Sequence, residues 1–312
     1  MGGACTQDHC HAPDTECARG EKSIAKCSHF GKQVVPDKQK VTRPTGNDFP
    51  WSGNTLGTDD LSWVCARQRP RLYTPVGAQN SGKTTFLLAT YLGLSRGHTF
   101  GETEFAGSYS LGGWEHLAAY ARYQPTGVGP SFPPHTPLTS TSAPGLLHLA
   151  VRHKAGDLDD LALADAPGEW FTSWAVDEET PYTGARWLVD RTDGFIFFVD
   201  SEALQGEERG AARDKLYKLA QRLAVYRKSR PIAILWTKSD IEISTAMKEQ
   251  VAARLNDIFP GASSFSASVK SASPEGEFIQ VLHWLIQQSG SLHRRALTLE
   301  QAGDLFLNYR GH

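Results

Sequence analysis

Eight residues, Gly77 to Thr84, read Gly-Ala-Gln-Asn-Ser-Gly-Lys-Thr. The pattern G-x-x-x-x-G-K-[ST] is that of a phosphate-binding loop. Gly77 and Gly82 let the backbone curl so that successive N–H groups converge on phosphate oxygens. A helix starting there adds the positive end of its dipole. Lys83 has the reach for β- and γ-phosphates, and the Thr84 hydroxyl offers a ligand to Mg²⁺. The flanks suit this chemistry. Arg71–Val76 reads as a strand and Thr85–Leu92 as a helix. Pro75 is awkward in a central strand, because it removes a ladder donor, so it is expected to mark the last residue before the loop.

Three more groups of residues could do chemistry. Asp165-Ala166-Pro167-Gly168 closes an apolar run and puts an acid at a strand tip. The carboxylate can hold Mg²⁺ through water, and the Gly168 N–H can meet a γ-phosphate. Thr237-Lys238-Ser239-Asp240 closes the apolar run Pro231–Trp236 and fits [N/T]-K-x-D. A carboxylate there can accept from N1–H and the exocyclic amine of guanine, a donor pair that adenine lacks. The Lys238 stem can lie along the base plane. Ser266-Ala267-Ser268 follows the last strand-like run and is similar to an S-A-x element, in which a backbone N–H meets guanine O6. Taken alone, each is a common polar turn. Taken in this order, each at a strand C-terminus, they describe one ligand site of an open α/β sheet. Four of the five cysteines form a separate group, Cys5, Cys10, Cys17 and Cys27, spaced C-x4-C-x6-C-x9-C. Four thiolates can close a tetrahedral zinc site, with His9 or His11 able to replace one of them, and so short a segment has few other means of ordering itself. Cys65 stands apart among apolar neighbours and reads as a packed thiol.

The elements that must position these groups follow from the apolar pattern. The chain has 312 residues, 40% of them hydrophobic, enough for one large domain with an appendage. Residues 1–33 form the Cys-rich segment, 34–55 a Pro/Gly-rich linker, and 56–312 the main domain. Within that domain a long irregular stretch, 95–145, carries one helical patch at Trp114–Tyr123 and the sequence Pro133-Pro134-His135-Thr136. Strands are expected at Leu146–His153, Leu158–Ala164, Phe195–Asp200, Pro231–Trp236 and Ser263–Ser266, and helices at 207–228, 241–259 and 275–289. A tail, 292–312, ends the chain with an apolar Leu305–Tyr309. A net charge of −2 argues against a nucleic-acid surface. No apolar run approaches the roughly 20 residues of a membrane span. There is no apolar leader, and the expected location is cytoplasmic.

These motifs, over residues 71 to about 290, make the chain resemble a Ras-like G domain of the translation-factor-related class. The long insertion, Pro-Pro-His-Thr, Asp-Ala-Pro-Gly-Glu-Trp-Phe and the Cys array make it most similar to the bacterial double-GTPase family, whose genes sit in conflict and anti-phage loci. The resemblance implies a three-layer α/β fold with a mostly parallel six-stranded sheet. It implies GTP/GDP binding by Gly77, Asn80, Ser81, Gly82, Lys83, Thr84, Thr85, Lys238, Asp240, Ser266 and Ala267, and Mg²⁺ at Thr84, Thr136 and Asp165. Thr139 and Thr141 are alternatives to Thr136. Slow hydrolysis would fall to Lys83, Thr136, Gly168 and Glu169, helped by an activating or effector protein from a neighbouring gene. Two departures stand out. Glu169 follows D-x-x-G where such proteins often carry Gln. Gln79 and Asn80 replace small residues in the phosphate loop. Arg186 and Arg191 are expected to be solvated helix charges. The rivals are a P-loop ATPase or kinase and a scaffold that binds nucleotide without hydrolysing it.

Overall fold

The computed structural model describes residues 23, 27, 55–65, 68–122, 129–133, 144–180 and 182–289. The chain divides into two compact units, Met1–Phe49 and Pro50–His312. In chain order the elements of the second unit are α1 (Leu61–Val64), β1 (Arg71–Val76), α2 (Lys83–Ser95), β2 (Thr103–Gly107), α3 (Leu111–Tyr120), β3 (Gly145–His153), β4 (Leu158–Asp165), α4 (Gly168–Val176), α5 (Thr183–Arg191), β5 (Gly194–Asp200), α6 (Ser201–Gln205), α7 (Arg209–Arg227), β6 (Ile232–Thr237), α8 (Thr245–Ile258), β7 (Ser263–Ala267) and α9 (Pro274–Gln288). No described helix is long and apolar enough to cross a membrane.

The strands form one sheet in the order β2-β3-β4-β1-β5-β6-β7. The five from β4 to β7 run parallel, and β3 and β2 are antiparallel additions. β1 and β6 are buried along their whole length, and β5 up to its last residue, as continuous apolar runs of a doubly covered sheet should be. One face packs on Trp170, Trp174, Leu188, Leu219 and Val251 from α4, α5, α7 and α8. The other packs on Phe86, Leu87, Trp114 and Leu282 from α2, α3 and α9. This is the three-layer α/β architecture expected from the sequence.

The sheet has seven strands rather than six. The extra strand, β2, lies inside the stretch read as irregular. It is short, bulged between Phe105 and Gly107, and exposed at Glu104, Phe105 and Ala106, so it lacks the alternation that would have marked it. The neighbouring helix, α3, begins at Leu111 and ends at Tyr120, three residues before the expected end. A polar clamp holds it to β3. The Trp114 indole N–H donates to the His148 carbonyl at 2.8 Å, and the His148 N–H donates to Ser110 Oγ at 2.7 Å. The Tyr109 N–H donates to His148 Nδ1, which leaves Nε2 to face the buried Asp160 carboxylate at 3.0 Å. Pro75 lies within β1 and not after it. It is tolerated there because the ladder to β4 has ended at Tyr73, and from that point β1 pairs with β5.

Candidate functional site

All five parallel strands deliver their C-terminal ends to one side of the molecule, where a cleft of about 370 Å³ opens. The phosphate loop forms its floor. α2 begins at Lys83 with Gly82 in the left-handed region (φ 93°) and has no side-chain cap. Its first N–H groups are therefore left for a ligand. Asn80 is also left-handed (φ 62°), a conformation Asn tolerates better than most residues. Asn80, Ser81, Gly82, Lys83, Thr84 and Thr85 all line the cleft. Gly77 packs beneath the loop against Ser81 and Phe198. Gln79 faces a different cavity, walled by Thr172, Leu204 and Leu216.

The Lys83 ammonium donates to the Gly77 carbonyl at 3.1 Å and the Ala78 carbonyl at 2.7 Å. Burial pushes its pKa down to about 8, against the pull of the Asp165 and Glu169 carboxylates. Both acids are therefore close enough to act on Lys83, although only Glu169 lines the cleft. Asp165 ends β4, half-buried, and Thr84 stands in the first turn of α2. A hydroxyl and a carboxylate are hard oxygen donors that suit Mg²⁺. Gly168 starts α4, and its backbone is pressed against the phosphate loop. A Cβ there would lie 2.3 Å from Gln79 N and 2.5 Å from Ala78 C. Only glycine lets α4 approach so closely.

At the other end of the cleft stands Asp240. Ser268 Oγ donates to its Oδ1 at 2.5 Å, and the Lys270 ammonium sits 2.8 Å from Oδ2. Lys270 first, and then Ser268, hold its carboxyl below the usual range. Lys238 is left-handed (φ 53°) and paired with Asp200 at 2.8 Å and Glu202 at 2.7 Å. Burial lowers its pKa, but these two hydrogen bonds outweigh that and hold it above the ordinary lysine range. The Thr237 hydroxyl reaches across to the Ser81 carbonyl at 2.9 Å, tying the two loops together.

The structure does not bring Ser266 into this arrangement. Ser266 sits in β7 opposite Trp236, exposed and outside the cleft. Strand alternation turns it away, and the serine that meets Asp240 is two residues later, where the chain has left β7. Ala267 does line the cleft, followed by Ser268, Val269 and Lys270. Sequence reasoning had Thr237 and Ser268 only as members of their motifs, and gave no role to Lys270 or to the acids that hold Lys238. The Ser-x-Lys run 268–270 was the available signal. It also passed over Phe132 and Val269, which are 65% and 42% exposed yet line the cleft. Thr136, with Thr139 and Thr141, lies outside the described residues, as do Cys5, Cys10 and Cys17. Cys27 is half-buried and in no disulfide. Arg186 pairs with Glu178 and Asp190, and Arg191 lies over the Trp187 ring. Neither lines the cleft.

A phosphate loop and a carboxylate-bearing base loop opening into one cleft, on this sheet, define a P-loop GTP-binding domain. The chain belongs to the Double-GTPase 2 family, whose family model matches residues 74–287. That match begins inside β1 and takes in the C-terminal ends of all five parallel strands. No curated protein matches the chain.

Proposed function

We propose that the protein hydrolyses GTP slowly to GDP and uses the change as a conformational switch. The observation that carries this is the joint cleft, with Lys83 at one end and Asp240 at the other. The ends are specialised. A carboxylate held by Ser268 is set to accept from guanine, and Lys83 with the uncapped α2 N-terminus is set to take phosphates. Bound Mg²⁺ would be held by Thr84 and, through water, Asp165, with Thr136 as the expected third contact, and would neutralise developing phosphate charge. Glu169 stands at the cleft in the first turn of α4, where a carboxylate can orient a water. Among the described residues no arginine lines the cleft, and a positive finger supplied by a partner raises rates by roughly 10³–10⁵ elsewhere. A place in bacterial conflict or defence signalling, with an activating partner, is part of the same proposal and rests on the sequence resemblance alone.

Multiple-turnover assays of the purified chain with saturating GTP and Mg²⁺ test the reading. Turnover well below about 1 per minute is expected, in the unassisted regime. Several turnovers per second without a partner would overturn the slow-switch account, and equal affinity for ADP and GDP would overturn the guanine assignment. A second proposal rests on the cysteine spacing alone: Cys5, Cys10, Cys17 and Cys27 hold one structural Zn²⁺. Elemental analysis of protein purified without added metal should find about one zinc per chain. Near-zero zinc with four titratable thiols would reject it.

A further inference from the structure

A third cavity, of about 630 Å³, lies on the sheet face that carries α1 and α5. Its floor is Leu61, Leu72, Leu146 and Ala162. Its mouth lies between the end of α5 and the α7–β6 turn, where Arg69, Arg191, Lys228 and Arg230 stand. Those turns sit at the N-terminal ends of β1, β5 and β6, opposite the nucleotide cleft.

The charges at this mouth do not balance. Four cations face two carboxylates, Asp190 and Asp193. Both carboxylates are already occupied: Asp193 takes Arg69 at 2.8 Å and the Leu72 N–H at 2.8 Å, and Asp190 takes Arg186 at 2.8 Å. Arg230 spends its guanidinium on the carbonyls of Arg227, Val189, Thr192 and Tyr226, and the Asp190 and Asp193 carboxylates act on it electrostatically, so it is committed to the fold. Among the described residues, neither Arg191 nor Lys228 has a carboxylate partner. Arg191 lies 4.9 Å over the half-buried Trp187 ring. A helix C-terminus favours nearby cations, which accounts for Lys228 at the end of α7. The same holds for Arg191 in the last turn of α5, but it does not account for these two cations meeting beside an indole around an apolar hollow of ligand size.

We infer that this cavity is a binding site for a small organic anion with a flat apolar body. The apolar part lies on Leu72, Leu146 and Ala162 beside Trp187. The anionic group meets Arg191 and Lys228. The site is separate from the nucleotide cleft, so both are occupied at once.

The probe is 1-anilinonaphthalene-8-sulfonate, titrated by fluorescence into the full chain saturated with GDP. One saturable site is expected, with affinity that falls as salt rises and is unaffected by GDP. The double substitution Arg191→Gln/Lys228→Gln should weaken it at least about tenfold. Trp187→Leu should weaken it several-fold. Both variants should keep their GDP affinity, which shows that they are folded. Absence of saturable binding, displacement of the probe by GDP, or unchanged affinity in both folded variants would overturn the proposal.

Discussion

The two ends of the nucleotide cleft are built differently. At the base end the charged groups are paired across loops: Asp240 with Ser268 and Lys270, Lys238 with Asp200 and Glu202. At the phosphate end Lys83 is buried on two carbonyls, and Asp165 and Glu169 act on it electrostatically. The Asp240 end is thus held in place by its own side chains before any ligand arrives, and under the proposed function it would need little reorganisation to accept a guanine. The phosphate end holds a lysine whose charge is disfavoured until an anion supplies the missing partner. One cleft combines an end whose charged groups are paired within the chain with an end whose lysine is buried on backbone carbonyls.

The largest expected effect removes the anion partner. Lys83→Met should weaken GDP binding by about 100-fold, corresponding to loss of charge-assisted hydrogen bonds of about 3 kcal/mol. Calorimetry checks it, and an effect within about threefold would break the contrast between the ends. Asp240→Asn should cost about as much for GDP and restore binding of xanthosine diphosphate, because a buried donor–acceptor mismatch is expensive. Retained guanine preference in that variant would show that the base end reads through other groups.

The phosphate end can also be sharpened by pH. Burial holds Lys83 at about 8, against 10.5 for an ordinary lysine. A depressed lysine costs stability below its folded pKa, and that cost is relieved as pH rises from about 8 to 10.5. Bound phosphate favours the charged form, so GDP binding should take up a proton in this window. Affinity should fall there by up to about tenfold per pH unit. Calorimetry in buffers of different ionisation enthalpy measures the proton, and Lys83→Met should abolish it. A proton uptake that persists in Lys83→Met would assign it elsewhere. The smallest expected effect lies on the tie between the ends. Thr237→Val removes the hydroxyl on the Ser81 carbonyl, worth about 1 kcal/mol. It should weaken GDP about fivefold without changing the GDP-to-ADP preference; a changed preference would mean that Thr237 belongs to the base reader.

The parallel strands, the phosphate loop and Asp240 were legible because each rests on a local pattern: buried apolar runs, glycines at a fixed interval, an acid at a strand tip. The exit from β7 cannot be read from Ser-Ala-Ser alone: Ser266 is still in the strand with its side chain exposed, and Ser268, past the strand's end, is the serine that meets Asp240. β2 and the start of α3 were missed because tertiary contacts hold them. The clamp on His148 spans nearly 40 residues of sequence. The acids on Lys238 were invisible for the same reason: they reach it from β5 and α6. Phe132 and Val269 give no signal at all, since apolar exposure beside a cleft exists only once the chain is folded.

The close approach of Gly168 to the phosphate loop has an optical consequence. Two residues further along α4 is Trp170, and four beyond that Trp174, both essentially buried. Among the described residues neither indole N–H has a hydrogen-bond partner. Trp170 also lies against the backbone of Gly184 in α5, where a Cβ would come within 2.1 Å of its ring. If nucleotide shifted the N-terminus of α4 and carried either indole toward water, its N–H would find acceptors and its emission would move to the red. Under the proposed switch, the contact that places Gly168 on the phosphate loop would make Trp170 and Trp174 an intrinsic spectroscopic reporter, readable without any label.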